Sequence, residues 1–290
     1  MSTEKSGKNR FFEILSAIRG KWYQFFCPSN YQEYAIVHTA SRYDMTRAPS
    51  EQYYADIYLN FIRIDLQSHF GERKISILDA GCGQGRLSLP LAAAGHSVIG
   101  LDLSPDAIDN ARSYTLKRGL EVEYIVSDLN NLDSEIKNRK FDCIICLEVL
   151  YMARDPWKII RSFLNHLKKG GLLIVSLRTR YYYQLLAVSN KRMNDPVFDA
   201  TKDGGIVNGL YFNWGTRKKW IAVCDSLGLD PKFCYGIGIF SGIPGDPFAN
   251  ICIPSNLSNS NRQNLKKIEI SNAEENADYG RYIYLSATVR

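Results

Sequence analysis

Five short apolar segments, separated by helical segments, recur between residues 74 and 177. Near-continuous apolar runs of this length predict strands that are buried on both faces of a parallel sheet. We therefore predict an α/β fold with helices on both faces of the sheet and right-handed crossovers. The predicted strands are 74–79, 97–102, 121–128, 141–147 and 172–177.

The segments between these strands have the start and stop signals of helices. Ser104 is a good N-cap, because Pro105 and Asp106 follow it in the first turn. This helix is predicted to end at Gly119. Further helices are predicted at 86–95, 157–169 and 218–229.

Two regions flank the alternation. Residues 1–72 are predicted to form an N-terminal helical cap or lid on a domain at 73–290. In the cap, residues 10–26 have apolar residues at helical spacing with basic residues among them, which suits either packing on the core or weak contact with a membrane surface. The domain is predicted to have polar or irregular insertions at 178–218 and 241–278, and further strands at 231–240 and 281–289.

The composition favours a cytoplasmic protein. The net charge of +6 is spread along the chain without a dense basic stripe, so we expect no nucleic-acid partner. No apolar run approaches the ~18–20 residues of a membrane span. The seven cysteines are odd in number, and Cys143 and Cys146 lie in an apolar strand, which favours buried thiols in a reducing compartment over disulfides. The composition leaves the oligomeric state open.

The loop LDAGCGQG, at residues 78–85, follows the first predicted strand and opens a helix. Its glycines, Gly81, Gly83 and Gly85, let a ligand approach the backbone and the positive end of that helix. Because ligands of open α/β sheets bind at the carboxyl ends of the strands, we expect a nucleotide-like ligand here. The dinucleotide pattern requires a glycine where this chain has Arg86.

An acid ends each of the first three predicted strands. Asp79 precedes the glycines, where it would repel a pyrophosphate and attract a cationic amino group. Asp102 is placed to accept hydrogen bonds from ribose hydroxyls, and Asp128 to accept one from the adenine amine. A ligand that has a ribose, an adenine and an amino group but no phosphate is S-adenosylmethionine.

Four motifs, in this order, resemble those of class I S-adenosylmethionine-dependent methyltransferases: ILDAGCGQG, GLDLSPDAID, SDLNNL and FDCIICLEVLYMARDP. Within this class the chain is similar to small-molecule enzymes, including the ubiquinone-biosynthesis O-methyltransferases. The resemblance implies a Rossmann-like, seven-stranded, mostly parallel sheet with an antiparallel last strand. It also implies S-adenosylmethionine as the cofactor, S-adenosylhomocysteine as its product, and a small-molecule methyl acceptor.

The resemblance further implies cofactor-binding roles for residues of these motifs. They are Asp79 and Gly81 at the methionine amino group, Gly83 and Gly85 at close backbone approaches, Cys82 as a small side chain of the loop, Asp102 at the ribose, Leu103 against the adenine, Asp128 and Leu129 at the adenine edge, and Leu147 beside the methionine.

Methyl transfer from a sulfonium is an in-line displacement, in which the protein aligns the acceptor and excludes water. A hydroxyl or amine acceptor also needs a base. Glu148, after the fourth strand, is the first candidate, and it could instead hydrogen-bond the cofactor or the cap. Tyr151 could position the acceptor or pack as an aromatic, and His38 in the cap is a further base candidate.

The ubiquinone-type enzymes have an E-x-L-E-H-like sequence after strand four, which can contribute to a metal site. Here the matching stretch is EVLYM at residues 148–152, so Tyr151 and Met152 replace the second acid and the histidine. Because methionine is a poor ligand for a hard cation such as Mg²⁺, we predict no metal. The favoured function is methylation of O or N of a small organic acceptor. The alternatives are methylation of protein or RNA, and a non-catalytic S-adenosylmethionine-binding protein.

Overall fold

The computed structural model describes residues 49–207 and 209–290. Its helices are α1 (Pro49–Phe70), α2 (Ser88–Ala93), α3 (Pro105–Lys117), α4 (Leu132–Glu135), α5 (Pro156–His166), α6 (Arg180–Ser189), α7 (Arg217–Ser226) and α8 (Asn259–Ser271). Its strands are β1 (Ser76–Ala80), β2 (Ser97–Asp102), β3 (Glu123–Val126), β4 (Phe141–Cys146), β5 (Leu167–Arg178), β6 (Gly204–Val207), β7 (Leu210–Asn213), β8 (Leu229–Ile237) and β9 (Tyr282–Val289).

Seven of these strands form one sheet in the order β3-β2-β1-β4-β5-β9-β8. Strands β1 to β5 pair in parallel, whereas β9 runs antiparallel to both β5 and β8. The chain proceeds from β1 outwards to β3 and then returns to β4, so the strand order reverses beside β1. A ligand cleft is expected at such a point, because the flanking loops diverge there. The predicted α/β sheet, with its antiparallel last strand, is confirmed.

The core lies on both faces of the sheet, as the apolar strands predict. On one face, α1 packs its aromatic and aliphatic side chains, including Ile57 and Ile62, against Ile77 and Ile145 of the strands. On the other face, Phe163 of α5 and Trp220 of α7 are fully buried against a second cluster. Covering both faces explains why the central strands have almost no polar residues.

The predicted helix at 157–169 is wrong at its end, because α5 stops at His166. Leu167 is extended, with φ −86° and ψ 143°, and is the first residue of β5. Lys168, which continues the helical pattern in sequence, instead places its ammonium 2.8 Å from the carboxylate of Asp142 on β4. A tertiary ion pair and the burial of Leu167 therefore favour an early strand over a longer helix.

Both insertions contain regular structure that periodicity did not predict. Residues 178–218 include α6 and a hairpin of β6 and β7, and residues 241–278 include α8. Helix α8 has few apolar residues, but its Glu269 is buried and accepts hydrogen bonds from the backbone of Ile239 and Phe240. A buried carboxylate thus holds this helix against the segment after β8. A search for apolar periodicity does not detect such a contact.

The described part of the predicted N-terminal cap is α1, and it packs into the core. The predicted helix at 10–26 and the base candidate His38 lie outside the described residues. Over the described ranges, no helix combines the length and the apolar character that a membrane crossing requires.

Candidate functional site

A cleft with a cavity volume of about 220 Å³ lies at the carboxyl ends of the central strands. Four segments line it, and each follows a strand or begins a helix. They are the glycine loop at 81–86, the end of β2 at 102–103, the turn at 127–130 and the segment 147–153, together with Glu51 from the first turn of α1. The strand-order reversal therefore creates a site to which β1, β2, β3, β4 and α1 all contribute.

The backbone of the glycine loop has left-handed φ angles at Gly81 (+83°), Gly83 (+52°) and Gly85 (+87°). A β-carbon on Gly81 would overlap the side chain of Val149, so the loop packs directly on the segment after β4. A β-carbon on Gly83 would meet no described atom within 4 Å, and Gly83 lines the cleft. A side chain there would therefore project into the space that a ligand needs.

Asp102 fixes the glycine loop to the end of β2. Its carboxylate accepts hydrogen bonds from the backbone N–H of Gly83 at 2.8 Å and of Ser104 at 2.9 Å. Burial raises the pKa of Asp102, and these two N–H donors oppose that rise. A carboxylate has about four lone-pair sites, so two bonds leave acceptor capacity towards the cleft.

Asp79 lies behind the loop rather than in the cleft wall. It is 2% exposed, and Ser88 donates a hydrogen bond to it at 2.5 Å. Burial raises the pKa of Asp79 to about 6, although the hydrogen bond from Ser88 lowers it. The structure thus places Asp79 next to the loop that it was predicted to serve, without bringing it to the cleft surface.

The adenine-side residues predicted from sequence come together in the cleft. Leu103, Asp128 and Leu129 all line it, as does Leu147. One oxygen of Asp128 accepts hydrogen bonds from the backbone and the side chain of Asn130, both at 2.9 Å. These bonds hold the carboxylate in place at the lip of the cleft.

The remaining loop residues behave differently from one another. Cys82 lines the cleft but is buried, and burial raises the pKa of its thiol, which disfavours the reactive thiolate. Gly85 faces Tyr124 and Leu89 instead of the cleft. Gln84 was not predicted: it lines the cleft, and its buried Oε1 has no hydrogen-bond partner in the described part of the chain.

Arg86 joins three elements around the cleft. Its guanidinium lies 3.0 Å from Glu51 of α1 and 3.3 Å from Glu148 after β4. In the sequence, Arg86 stands out only as a departure from the dinucleotide pattern, and Glu51 belongs to no motif. A charged residue in the first turn of a helix usually interacts with the helix dipole, so Glu51 had no distinguishing sequence signal.

Glu148 is held in a strained and charged state. Its φ is +61°, which is rare for a residue with a side chain, and its backbone N–H donates to Ser176 Oγ at 2.7 Å. Burial raises the pKa of Glu148, but the positive charges of Arg86, Arg281 and Arg178 outweigh it, and the pKa lies below the usual value. A carboxylate that is held ionised in this way is a weak proton acceptor.

Glu51 experiences the opposite balance. Burial raises its pKa, Arg86 lowers it and Glu148 raises it again, so that the pKa lies above the usual value. The two carboxylates on Arg86 therefore differ: Glu148 stays ionised, whereas Glu51 takes up a proton more readily. Pairs of acids whose environments separate their pKa values are typical of acid–base sites.

Tyr151, the predicted acceptor-positioning residue, lines the cleft. Its ring stacks on Phe212 of β7, with the centroids 6.0 Å apart. The predicted insertion at 178–218 therefore reaches the cleft through this aromatic contact. His38, the third catalytic candidate, lies outside the described residues.

The charges of the cleft wall restrict the type of ligand. Among the described residues that line it, four are acidic and one is basic; they are Glu51, Asp102, Asp128, Glu148 and Arg86. A pyrophosphate would face a net negative wall, whereas a ligand with a sulfonium and an ammonium group is attracted to it. No cluster of three or more potential metal-ligating His, Cys, Asp or Glu residues occurs in the described ranges.

Residues 77–171 match the family model of the methyltransferase domain. This segment is similar to known methyltransferase domains. The match confirms the resemblance to class I S-adenosylmethionine-dependent methyltransferases that the motifs predict. It begins in β1 and ends in β5, and so includes the glycine loop, Asp102, Asp128 and Glu148.

Relatives of the methyltransferase domain include two proteins named ubiquinone biosynthesis O-methyltransferase. That of Rickettsia canadensis is 34% identical over 125 residues, which is 43% of this chain and 52% of the relative. That of Xanthomonas axonopodis pv. citri is 38% identical over 104 residues, 36% of this chain and 43% of the relative. The chain thus spans about half the length of these relatives.

Solved structures show that the likeness in fold extends beyond residues 77–171. Magnesium protoporphyrin IX methyltransferase from Synechocystis superposes with a TM-score of 0.53 at 17% identity, over 83% of this chain and 84% of that one. A SAM-dependent methyltransferase from Methanosarcina mazei gives a TM-score of 0.54 at 18% identity, over 78% and 96% of the two chains. At these identities the likeness is one of fold.

Proposed function

We propose that this protein is an S-adenosylmethionine-dependent methyltransferase that transfers a methyl group to an oxygen or nitrogen of a small organic acceptor by in-line displacement. The acid-rich cleft at the glycine loop of a methyltransferase domain carries this proposal. The small acceptor is supported by the cleft volume of about 220 Å³ and by the relatives named O-methyltransferase.

The residues present fit the cofactor. Asp102 keeps acceptor capacity for the ribose hydroxyls, and Asp128 is held at the lip of the cleft for the adenine amine. The partnerless Oε1 of Gln84 is a further acceptor for an ammonium or hydroxyl group. Gly83 leaves room for close backbone approach. When bound, S-adenosylmethionine supplies a methyl group activated by its sulfonium.

The protein's own contribution is alignment, exclusion of water and proton removal. Tyr151 and Phe212 form an aromatic surface at the acceptor end, which orients a planar group and keeps water away. Glu51 is the base, because it lines the cleft and its pKa is raised towards the working range. Glu148 stays ionised and holds Arg86, which in turn holds Glu51.

Isothermal titration calorimetry with S-adenosylhomocysteine and with NADH tests the cofactor. We expect the wild-type protein to bind S-adenosylhomocysteine and not NADH, and Asp102→Ala to weaken the binding by about a hundredfold, because it removes the ribose acceptor and releases Gly83. Asp109→Ala is the matched control, since Asp109 is an exposed acid on α3. Binding of NADH alone would reject the proposal.

A second assay tests the acceptor class. The protein is incubated with a cell extract and S-adenosylmethionine that has a labelled methyl group. We expect label in small molecules that pass a size filter. Label that stays in the retained fraction and is lost after protease or RNase treatment would replace the small acceptor with a macromolecule, and the absence of any transfer from bound cofactor would indicate a non-catalytic binder.

A further inference from the structure

Arg178 is a buried cation at the end of β5, just beyond the methyltransferase domain match. It is 8% exposed and pairs in register with Tyr282 of the antiparallel strand β9. Charged residues are rarely buried to this extent unless a partner compensates the charge. The groups that contact this guanidinium therefore indicate which partner compensates its charge.

Tyrosine rings cover the faces of the guanidinium. Its central carbon lies 4.0 Å from the ring centroid of Tyr182, 3.9 Å from that of Tyr282 and 5.1 Å from that of Tyr151. We call Arg178 and these three tyrosines the arginine box. Cation–π contacts of this kind stabilise the charge over the ring faces, but they provide no acceptor in the guanidinium plane.

Two nitrogens on the edge of the guanidinium, Nε and Nη1, have no hydrogen-bond partner among the described residues. The side chain of Tyr183 hydrogen-bonds to Arg178 and so satisfies another part of that edge. Also within the described ranges, no carboxylate lies within the 4.0 Å of an ion pair with Arg178, whereas Arg86 has two such partners and Arg281 lies 2.5 Å from Asp246. Buried N–H groups without acceptors are costly, so a ligand that supplies acceptors would bind there favourably.

The arginine box borders the acceptor end of the cleft. Tyr151 belongs to both, because it lines the cavity and contacts Arg178. Glu148 lines the cleft and interacts electrostatically with Arg178, but its carboxylate is held by Arg86 at 3.3 Å. A carboxylate has two oxygens in one plane, which matches the edge of a guanidinium in a bidentate pair.

We propose that Arg178 binds a carboxylate group of the methyl acceptor, so that the acceptor is an anionic, carboxylate-bearing small molecule. This inference rests on the proposed function, because it assigns the acceptor end of the same cleft. It makes Arg178 a specificity residue that contacts the acceptor and not the cofactor.

The test uses benzoate and benzamide, two planar probes of nearly the same shape that differ in charge. Each is titrated, by nuclear magnetic resonance, into protein saturated with S-adenosylhomocysteine. We expect benzoate to bind at least about tenfold more tightly than benzamide in the wild type, since a charge-assisted pair is lost in the amide. We expect Arg178→Met to bind both equally and Arg178→Lys to retain part of the preference.

Arg154→Met is the matched control, because Arg154 is an exposed arginine directly after the cleft-lining segment 147–153 and should leave the preference unchanged. Equal binding of both probes to the wild type, or a preference that survives in a folded Arg178→Met, overturns the inference. S-adenosylhomocysteine binding is measured first in every variant. Its absence in the wild type would reject the proposed function instead, so the two failures are distinguishable.

Discussion

The two ends of the cleft differ in charge and in origin. The cofactor end is built from the turns after β1, β2 and β3 and is rich in carboxylates. The acceptor end is built from β5, α6, β7 and β9 and holds the arginine box. The first lies within the methyltransferase domain match at 77–171, and most of the second lies after it. In the functions proposed above, the segment that matches the family model binds the cofactor, and the segments after it select the acceptor.

The largest effect is expected at the cofactor end, from Gly81→Ala. The added β-carbon would overlap the side chain of Val149, and the φ of +83° at this position is unfavourable for alanine. We therefore expect cofactor binding and activity to be lost, and the free energy of unfolding to fall by about 2–4 kcal/mol. Calorimetry and urea unfolding measure the two effects. Gly119→Ala is the matched control, because Gly119 has a φ of +63° and no described atom within 4 Å of its β-carbon position. Equal behaviour of the two variants would show that the contact with Val149 is unimportant.

An intermediate effect is expected between the two ends, from Glu51→Gln. Removing the base should lower kcat by about a hundredfold, with little change in S-adenosylhomocysteine affinity. Because a base acts when deprotonated and burial raises the pKa of Glu51, wild-type activity should fall as the pH drops through this raised pKa.

The pH–rate profile of Glu51→Gln should lack this acidic limb. Glu148→Gln is the comparison: the limb should remain but move to lower pH, because the charge of Glu148 contributes to the raised pKa of Glu51. An unchanged limb in Glu51→Gln would assign proton removal to another group.

The smallest effect on function is expected away from both ends, from Asp65→Asn. Asp65 accepts hydrogen bonds from Tyr284 and Ser286, and burial raises its pKa from 3.8 to about 6. A raised pKa in the folded state contributes stability that is fully present below about pH 4 and is lost as the pH rises through about 6, amounting to about 3 kcal/mol for this shift.

Urea unfolding of the wild type and of Asp65→Asn, between pH 4 and 7, measures this contribution as the difference between the two pH dependences. Cofactor binding should be the same in both proteins. Parallel stability curves would mean that Asp65 titrates in the folded protein as it does in the unfolded chain.

The sheet and most of the cofactor end were predictable, because both depend on local sequence. Apolar strands, turn glycines and the acids that follow strands are contiguous signals, and Asp102 and Asp128 indeed reach the cleft. The position of Asp79 behind the glycine loop was harder to predict, because it depends on the hydrogen bond that Ser88 of α2 donates to its carboxylate. The residue roles themselves stay predictions.

The rest depends on contacts between distant segments. Glu51 reaches the site only because α1 packs across the sheet. Tyr282 covers Arg178 only because β9 inserts between β5 and β8. Helix α8 depends on one buried acid, Glu269, rather than on an apolar stripe. Such tertiary arrangements leave no periodic trace in a single sequence.

The position of β9 also has a consequence for how the chain acquires its acceptor end during synthesis. Tyr282 covers Arg178 but emerges from the ribosome long after it, when the parallel strands and the glycine loop are already outside. Pairing of such distant segments is slow compared with local folding. The nascent protein should therefore pass through a stage in which the cofactor end can form while Arg178 still faces water, so that acceptor selection is the last property that the growing chain gains.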